Sequence, residues 1–464
     1  VATELEKIRD RLRRKLATET SKLLRYDQYF ESEQPLSFIV PALKEELGDR
    51  LTALVVEFPR TVVFAYDDRL DIRGYRLPDA EEADDDLWDV QLANNGGFLG
   101  QQVRQECLAL GRAYKLVGPG DDPGVPLITA ESPFDCMHEL DPRTGAVANG
   151  IKQWTELDGA RFITLYQPGG RTTWVKQKRR DWVLDDETET GYDLAQLVPY
   201  TNQPRTLGRA RTQRSKYDQR LGRSEFHGIL PLADGVNKMA TDMMTSGEYH
   251  AMPRRWVFGM DRADFEDADG NPLSDWSAIA GKIWAHQNKD VKAGQFTESS
   301  LSNFHESIKL LGQLIIQQAA LPPHYGFDTG DNPASADAIR SSETQLVKRS
   351  ERKQVSFGTS DELEQRLVLL EAGRTEDAEK AKRIEVIWRS ASTPTKAQES
   401  DATVKLVTAK DSRGRSIVPI EMAREDLGYT PEQRKRMAAM DKAEDPDIAA
   451  AARELRTLTG NTAA

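Results

Sequence analysis

Six histidines (His138, His227, His250, His286, His305 and His324) and two cysteines (Cys107 and Cys136) are the side chains of this sequence best suited to metal ligation or proton transfer. Their spacing argues against both. Two cysteines are too few for a disulfide framework or a cysteine zinc site, which fits a reducing compartment, so metal chemistry would rest on histidine and carboxylate. His305 and Glu306 share a helical run, but Lys309 stands where a zinc helix needs its second histidine. Asp267, Asp269 and Gly270 resemble part of a calcium loop whose first ligand position falls on Phe265 and whose twelfth falls on Trp276, so a hairpin turn is expected. The loop Gly118-Pro-Gly-Asp-Asp-Pro-Gly124 lacks phosphate-cradle spacing, and its prolines remove N–H donors. Neither a Walker loop nor a nucleophile elbow is present. The expectation is a protein without catalysis, cofactor or metal, with a carboxylate- and histidine-dependent hydrolase or nuclease as the enzymatic alternative.

Charge narrows the partners. The 464 residues carry 63 Lys plus Arg against 75 Asp plus Glu, a net charge of −12, so a general basic coat for nucleic acid is absent. The strongest local basic excess lies between Arg205 and Arg223, six arginines and Lys216 against Asp218. It reads either as a nucleic-acid contact or as an arm packed on an acidic neighbouring surface, and the lack of aromatic interleaving beyond Tyr217 favours the arm. No stretch approaches the ~18 apolar residues of a membrane span, so a soluble, unexported protein is expected.

The length suits two or three compact units. Apolar residues at three and four predict a surface helix from Thr3 to Tyr29, and a second helix is expected from Pro41 to Phe58. Thr61–Tyr66 and Leu70–Leu77 read as strands, and Asp79–Asp86 as a solvated acidic loop. Helix is expected over Leu87–Leu110 with a break at Asn94-Asn-Gly-Gly97, then a strand at Ala113–Val117. Short alternating runs from Leu127 to Leu184 predict an antiparallel meander, so the first 200 residues read as an α+β unit.

Two long helices follow. Leu232, Val236, Met239 and Met243 mark the first, from Pro231 to His250, and Leu301, Phe304, Ile308, Leu311 and Ile315 mark the second, capped by Thr297 and ending near Ala320. Between them Arg254–Gly259 and Lys282–His286 read as strands. Leu321-Pro-Pro323 stops the second helix, and a Gly- and Pro-rich loop runs to Pro333. A third helix is expected from Ala334 to Phe357 and from Asp361 to Glu371, kinked at Gly358, then a strand at Arg383–Arg389 and a polar helical tail.

This order resembles the portal proteins of tailed bacteriophages, in particular the large family typified by the portal of Bacillus phage SPP1 and common in phages of actinobacteria. The matching pieces are Tyr29-Phe30 with Pro35-Leu36, Ala109-Leu-Gly-Arg-Ala-Tyr114 with Glu131-Ser-Pro133, Gly222-Arg-Ser-Glu225, Ala251-Met-Pro-Arg-Arg-Trp256, and Leu321-Pro-Pro323 with Asn332-Pro-Ala-Ser-Ala-Asp-Ala338. Their collinearity carries the resemblance. A departure falls at Tyr29-Phe-Glu-Ser32, where the family would have tyrosine and glycine.

The resemblance implies an α+β portal fold with an α/β wing (residues 1–230), a first stem helix (231–250), a small β-containing clip (251–296), a second stem helix (297–320), a tunnel loop (321–333), a return to the wing (334–394) and a helical crown with tail (395–464). The tunnel loop would place Pro322, Pro323, His324, Tyr325, Gly326, Phe327, Asp328, Thr329 and Gly330 at the DNA channel. Trp256, Phe258, Trp276 and Trp284 of the clip would bind partners. The implied assembly is a cyclic homo-oligomer of about 12 subunits at a capsid vertex, built in the host cytoplasm. Implied partners are the terminase large subunit, a head-completion adaptor, major capsid and scaffolding proteins, and double-stranded DNA without sequence preference, with no membrane. The residues support sliding over gripping, because from Thr297 to Pro333 Lys309 is the only lysine or arginine against Glu298, Glu306, Asp328 and Asp331. A capsid-associated adaptor without a channel is the structural alternative.

Overall fold

The computed structural model describes residues 3–35, 54–78, 80, 83–122, 124–178, 180–206, 219–251, 255–258, 292–295, 301–326, 336–392 and 396–444. Helix α1 (Glu4–Phe30) opens on a capping box in which Thr3 Oγ1 accepts from the Glu6 N–H and Glu6 accepts from the Thr3 N–H. Its apolar stripe serves two cores in turn. Leu12 and Leu16 lie with Met137, Ile151, Ile163, Leu165 and Trp174, while Leu23, Tyr26 and Tyr29 join the main core. Arg9 lies over the Trp174 ring at 5.0 Å, so its stem covers apolar surface as its charge faces a π system. In the stretch that departs from the family pattern, Ser32 has φ +60°, a conformation that favours glycine.

Thr61–Tyr66, read as a strand from its β-branched and aromatic residues, is the body of helix α2 (Phe58–Asp67). Pro59 sits in its first turn, where no donor is lost, and Val62, Val63 and Tyr66 recur at helical spacing to fill the core. The helix expected over Pro41–Phe58 falls largely outside the described residues, and 54–57 are not helical. Strand β1 (Ile72–Arg76) follows as expected. The acidic stretch ends as a helix start: Asp84 accepts from the Leu87 N–H at 2.9 Å and caps α3 (Asp85–Ala93), where carboxylates favour the positive end of the helix dipole. Helix α4 (Gly96–Leu110) begins within the anticipated break, directly after Asn95.

Two antiparallel sheets form the β part. Strands β2 (Arg112–Gly118), β3 (Leu127–Glu131) and β9 (Leu197–Thr201) make one, in the order β3-β2-β9. Strands β4 (Cys136–Leu140), β5 (Val147–Thr155), β6 (Arg161–Gln167), β7 (Gly170–Lys176) and β8 (Val183–Glu189) make the expected meander. Strand β9 escaped the sequence reading because it contains Pro199, which a strand tolerates only at a sheet edge, and β9 is an edge.

After the helix pair described below, a single 36-residue helix, α7 (Ala336–Glu371), crosses the fold. The helix runs unbroken through Gly358, where the expected kink would fall, and a Cβ there would make an ordinary 3.4 Å contact with the Trp388 indole nitrogen of strand β12 (Glu385–Trp388). That strand pairs with β1 as a separate two-stranded ribbon and does not join the larger sheets. Helix α8 (Thr375–Lys380) lies between them, and α9 (Lys396–Thr408), α10 (Ile420–Asp426) and α11 (Pro431–Glu444) complete the α+β chain. These last helices are tied back by ion pairs, Arg76–Glu425 at 3.2 Å and Lys435–Asp85 at 3.0 Å.

Helix α7 meets the sheet through buried charge. Lys115 Nζ on β2 lies 2.6 Å from Glu364 and 3.8 Å from Asp361, and the Tyr200 hydroxyl on β9 lies 2.7 Å from both carboxylates. Burial raises the Asp361 pKa to about 6, with Glu364 adding to the rise and Lys115 opposing it. A raised carboxylate favours folding fully below the unfolded pKa, and this contribution is lost as pH climbs through 6. Asp361→Asn, which keeps an acceptor for Tyr200, is therefore expected to match the parent chain in chemical denaturation at pH 4 and to exceed it by roughly 1–3 kcal/mol at pH 8.

Two of the motif pieces meet in space. The Asn202 N–H donates to Gly111 O at 2.9 Å, and the Arg223 N–H donates to Asn202 O at 2.7 Å. Gly222 has φ +101°, and a Cβ on it would stand 1.9 Å from Gly111 O. Gly222→Ala should cost about 3 kcal/mol or more by urea unfolding. Gly169→Ala, at φ +97° with nothing within 4 Å, should cost only about 1 kcal/mol.

Candidate functional site: the paired helices and their root

Helices α5 (Leu230–Ala251) and α6 (Ser302–Ala319) pack on each other. A Cβ on Gly235 would stand 3.2 Å from Leu311, so the two helices touch closely there. Beyond α5, strand β10 (Arg255–Phe258) pairs antiparallel with β11 (Lys292–Gln295). The expected partner strand, Lys282–His286, lies outside the described residues, as do Trp276, Trp284 and the cap Thr297; Trp256 and Phe258 lie on β10. Helix α6 begins after Leu301 with no side-chain cap.

The expected stripe is only partly the buried one. Val236 and Ile315 are buried, Leu232, Ile308 and Leu311 pack on the core from its margin, and Met239, Met243, Leu301 and Phe304 remain half-buried. The face of α5 that is buried is Ala233, Val236, Asn237, Ala240 and Thr241. Burial also runs out along the pair: Ile315, Ile316 and Ala319 near the root are inside, whereas Met244 and Leu310 are 55% and 57% exposed.

The root is held by hydrogen bonds that apolar periodicity does not reveal. Tyr29 donates to Asp234 at 2.6 Å, the Val56 N–H donates to Asn237 at 2.8 Å, and the Tyr66 hydroxyl donates to the Ala319 carbonyl at 2.6 Å. Burial, with Asp234 adding to it, pushes the Tyr29 pKa up to about 12, and burial with Glu225 does the same for Tyr66. Both phenols stay protonated and remain donors. Asn237 and Thr241, polar residues four apart on an otherwise apolar face, were the available sequence signal.

Ala320 closes α6 with φ +55°, and the buried Leu321 and Pro322 follow. Pro323–Tyr325 form a 3₁₀ turn: Tyr325 packs on the main core, and His324, largely solvated, lies 3.8 Å from Glu343. Gly326 has an extended backbone, and its missing side chain serves a close approach to Ile316, 3.2 Å from the Cβ position. The first part of the expected loop is thus folded back on the helix root. Phe327, Asp328, Thr329 and Gly330 lie outside the described residues.

Beside the root is a cleft of about 610 Å³, with Arg349, Arg352 and Lys353 of α7 on one wall and Arg223 on the other. Lys353 pairs with Glu225, which also accepts from Asn202 at 2.8 Å and Gln203 at 2.6 Å. The described histidines do not converge. His138 is buried against the Tyr114 hydroxyl at 3.0 Å, His227 lies 3.5 Å from the Tyr26 hydroxyl, and His305 is exposed. Among the described residues no three His, Cys, Asp or Glu side chains are placed to share a metal, and Cys107 and Cys136 are buried free thiols.

A mixed α/β body carrying a projecting helix pair is the architecture expected of a phage portal, and comparison with known proteins places the chain in that class. A family model described as phage portal protein, SPP1 Gp6-like, matches residues 9–446, and the chain belongs to that family. It is 30% identical to the portal protein of Mycobacterium phage D29 over 90% of this chain and 84% of the relative, and 28% identical to that of Mycobacterium phage L5 over the same shares. Among solved structures, a chain from the neck of an empty gene transfer agent particle aligns with a TM-score of 0.44 at 15% identity, covering 80% of this chain and 89% of its own.

The anchoring of the root yields a direct test. Tyr66→Phe leaves the Ala319 carbonyl without its donor and is expected to lower stability by about 1–2 kcal/mol in urea unfolding. Substituting the solvated His324 by Gln should leave the midpoint unchanged.

Proposed function

We propose that this portal protein assembles into a closed ring of about twelve copies whose central channel carries double-stranded DNA during packaging and ejection, without catalysis of its own. The observation that carries this reading is the loss of burial along the helix pair. Among the described residues the distal apolar side chains Met243, Met244 and Phe304 have little cover, and a second copy laid side by side would supply it. Such a contact is heterologous, and repeated around an axis it closes a ring. The helix pair is then the stem, β10 and β11 belong to the clip, the segment after Gly326 is the tunnel loop, and the helices after 395 form the crown.

A channel must admit a polyanion without holding it. The outward residues of α6 include Gln313, Gln317 and Gln318, with Glu306 and Lys309 offsetting each other. Each phosphate that a cation neutralises strengthens binding through counterion release, so this near-neutral face favours movement. Terminase and a head-completion adaptor are assigned to the clip, and capsid and scaffolding proteins to the wing. No helix among the described residues is long and apolar enough to cross a membrane.

Native mass measurement tests the assembly: twelve copies of a 52.1 kDa chain weigh roughly 620 kDa. Met244→Asp should leave a folded subunit and abolish that species. Gln317→Lys should leave rings intact and slow DNA packaging in assembled particles, because it adds one phosphate-binding cation per subunit. Normal packaging by the lysine rings would remove α6 from the DNA path.

A further inference from the structure

The cleft at the root concentrates positive charge on a chain whose net charge is −12. Lys353 is neutralised by Glu225, but Arg223, Arg349 and Arg352 have no carboxylate within ion-pair distance among the described residues. Arg349 donates to the Gln318 carbonyl at 3.1 Å and interacts with the Tyr66 hydroxyl, neither of which neutralises its charge. Burial, then the nearby Arg223 and Lys22, lower the pKa of His227 on the same rim. Pro204, Ile229 and Phe357 add apolar lining.

On another part of the same chain lies the complementary surface. Strand β8 is an edge of the five-stranded sheet and pairs only with β7. Asp185, Asp186, Glu187 and Glu189 on it are exposed and meet no cation among the described residues. Val183 and Leu184, at the start of the strand, are 60% and 54% exposed. No β8 residue of the chain lines its own cleft.

We infer that this cleft is the socket for the acidic edge strand β8 of a neighbouring copy of the chain, an inference that rests on the ring reading above. The match is one of sign and shape: carboxylates for the unpaired guanidiniums, and Val183 and Leu184 for the apolar lining. Cleft and strand occupy different parts of one subunit, as a head-to-tail contact requires. A volume of about 610 Å³ takes the side chains of one strand, whereas a DNA duplex would reach only its rim. Covering β8 also protects an exposed edge from non-specific strand pairing.

Charge reversal on each side decides it, with native mass measurement as readout and thermal melts confirming that each variant folds. Arg349→Glu with Arg352→Glu in one chain, or Asp186→Lys with Glu187→Lys in another, should each lower the ring fraction at least tenfold. Mixing the two reversed chains should restore rings, and only alternating ones with equal numbers of each, because every socket then meets a strand of opposite sign. Rings formed by each reversed chain alone would overturn the inference and leave the ring reading standing. A parent chain that never forms rings would overturn both. Full ring assembly with DNA retention lost only in the arginine variant would make the cleft a DNA contact and overturn the socket.

Discussion

The ion pair between Lys115 and Glu364, with Asp361 and Tyr200 closing around it, is the contact on which the rest of the fold depends. Central strand β2 is buried on both faces, and the helix lying on it spans 36 residues. A helix that long, with no strong apolar stripe, could slide or rotate on a purely apolar surface. A buried cation with one matched position for its carboxylates allows one register. Such a pair adds little net stability over apolar residues of the same volume, but removing one partner strands the other at a cost of about 3–5 kcal/mol. Its contribution is therefore to position more than to strength.

Once α7 is fixed, its successive turns reach different parts of the molecule. Near its C-terminal end Arg366 reaches Asp193 at 2.7 Å. In its middle, Gln354 donates to the carbonyls of Arg69 and Arg389, both at 3.0 Å, and Lys353 meets Glu225 and Asn202 beside the Gly111–Gly222 contact. Towards its start, Glu343 lies between Arg69 at 3.4 Å and His324 at 3.8 Å, at the root of the helix pair. One helix thus sets the ribbon that precedes the C-terminal helices, the basic cleft and the point where the pair leaves the body. Those three regions share a rigid reference.

The helix pair changes character along its length for a physical reason. At the root, Tyr29, Asn237 and Tyr66 satisfy polar groups that burial would otherwise penalise, and Ile315 and Ile316 fill the core. Farther out, among the described residues, the two helices mainly face each other, and two helices cannot cover all of their apolar surface. In the proposed ring a neighbouring copy removes that deficit. The ring reading comes from this imbalance together with family membership.

Much was legible in the sequence because it is local. The capping box at Thr3, the meander with its tight turns, the break at Asn94-Asn95 and both long helices each follow from a few neighbouring residues, and the collinear motifs were enough to identify the family. Where local preference conflicted with tertiary demand, the tertiary structure decided. Thr61–Tyr66 has strand-forming residues but packs as a helix because Val62, Val63 and Tyr66 face one core. Pro199 hides an edge strand, and Gly358 lies inside one unbroken helix beside Trp388. The sequence by itself determined most of the elements, their order and the class of protein. Only the tertiary structure decided which face of each helix is buried, that Gly111, Asn202 and Gly222 meet, and that Lys115 finds Glu364 across 249 positions. These are long-range pairings, and neither periodicity nor composition contains the distances that select them.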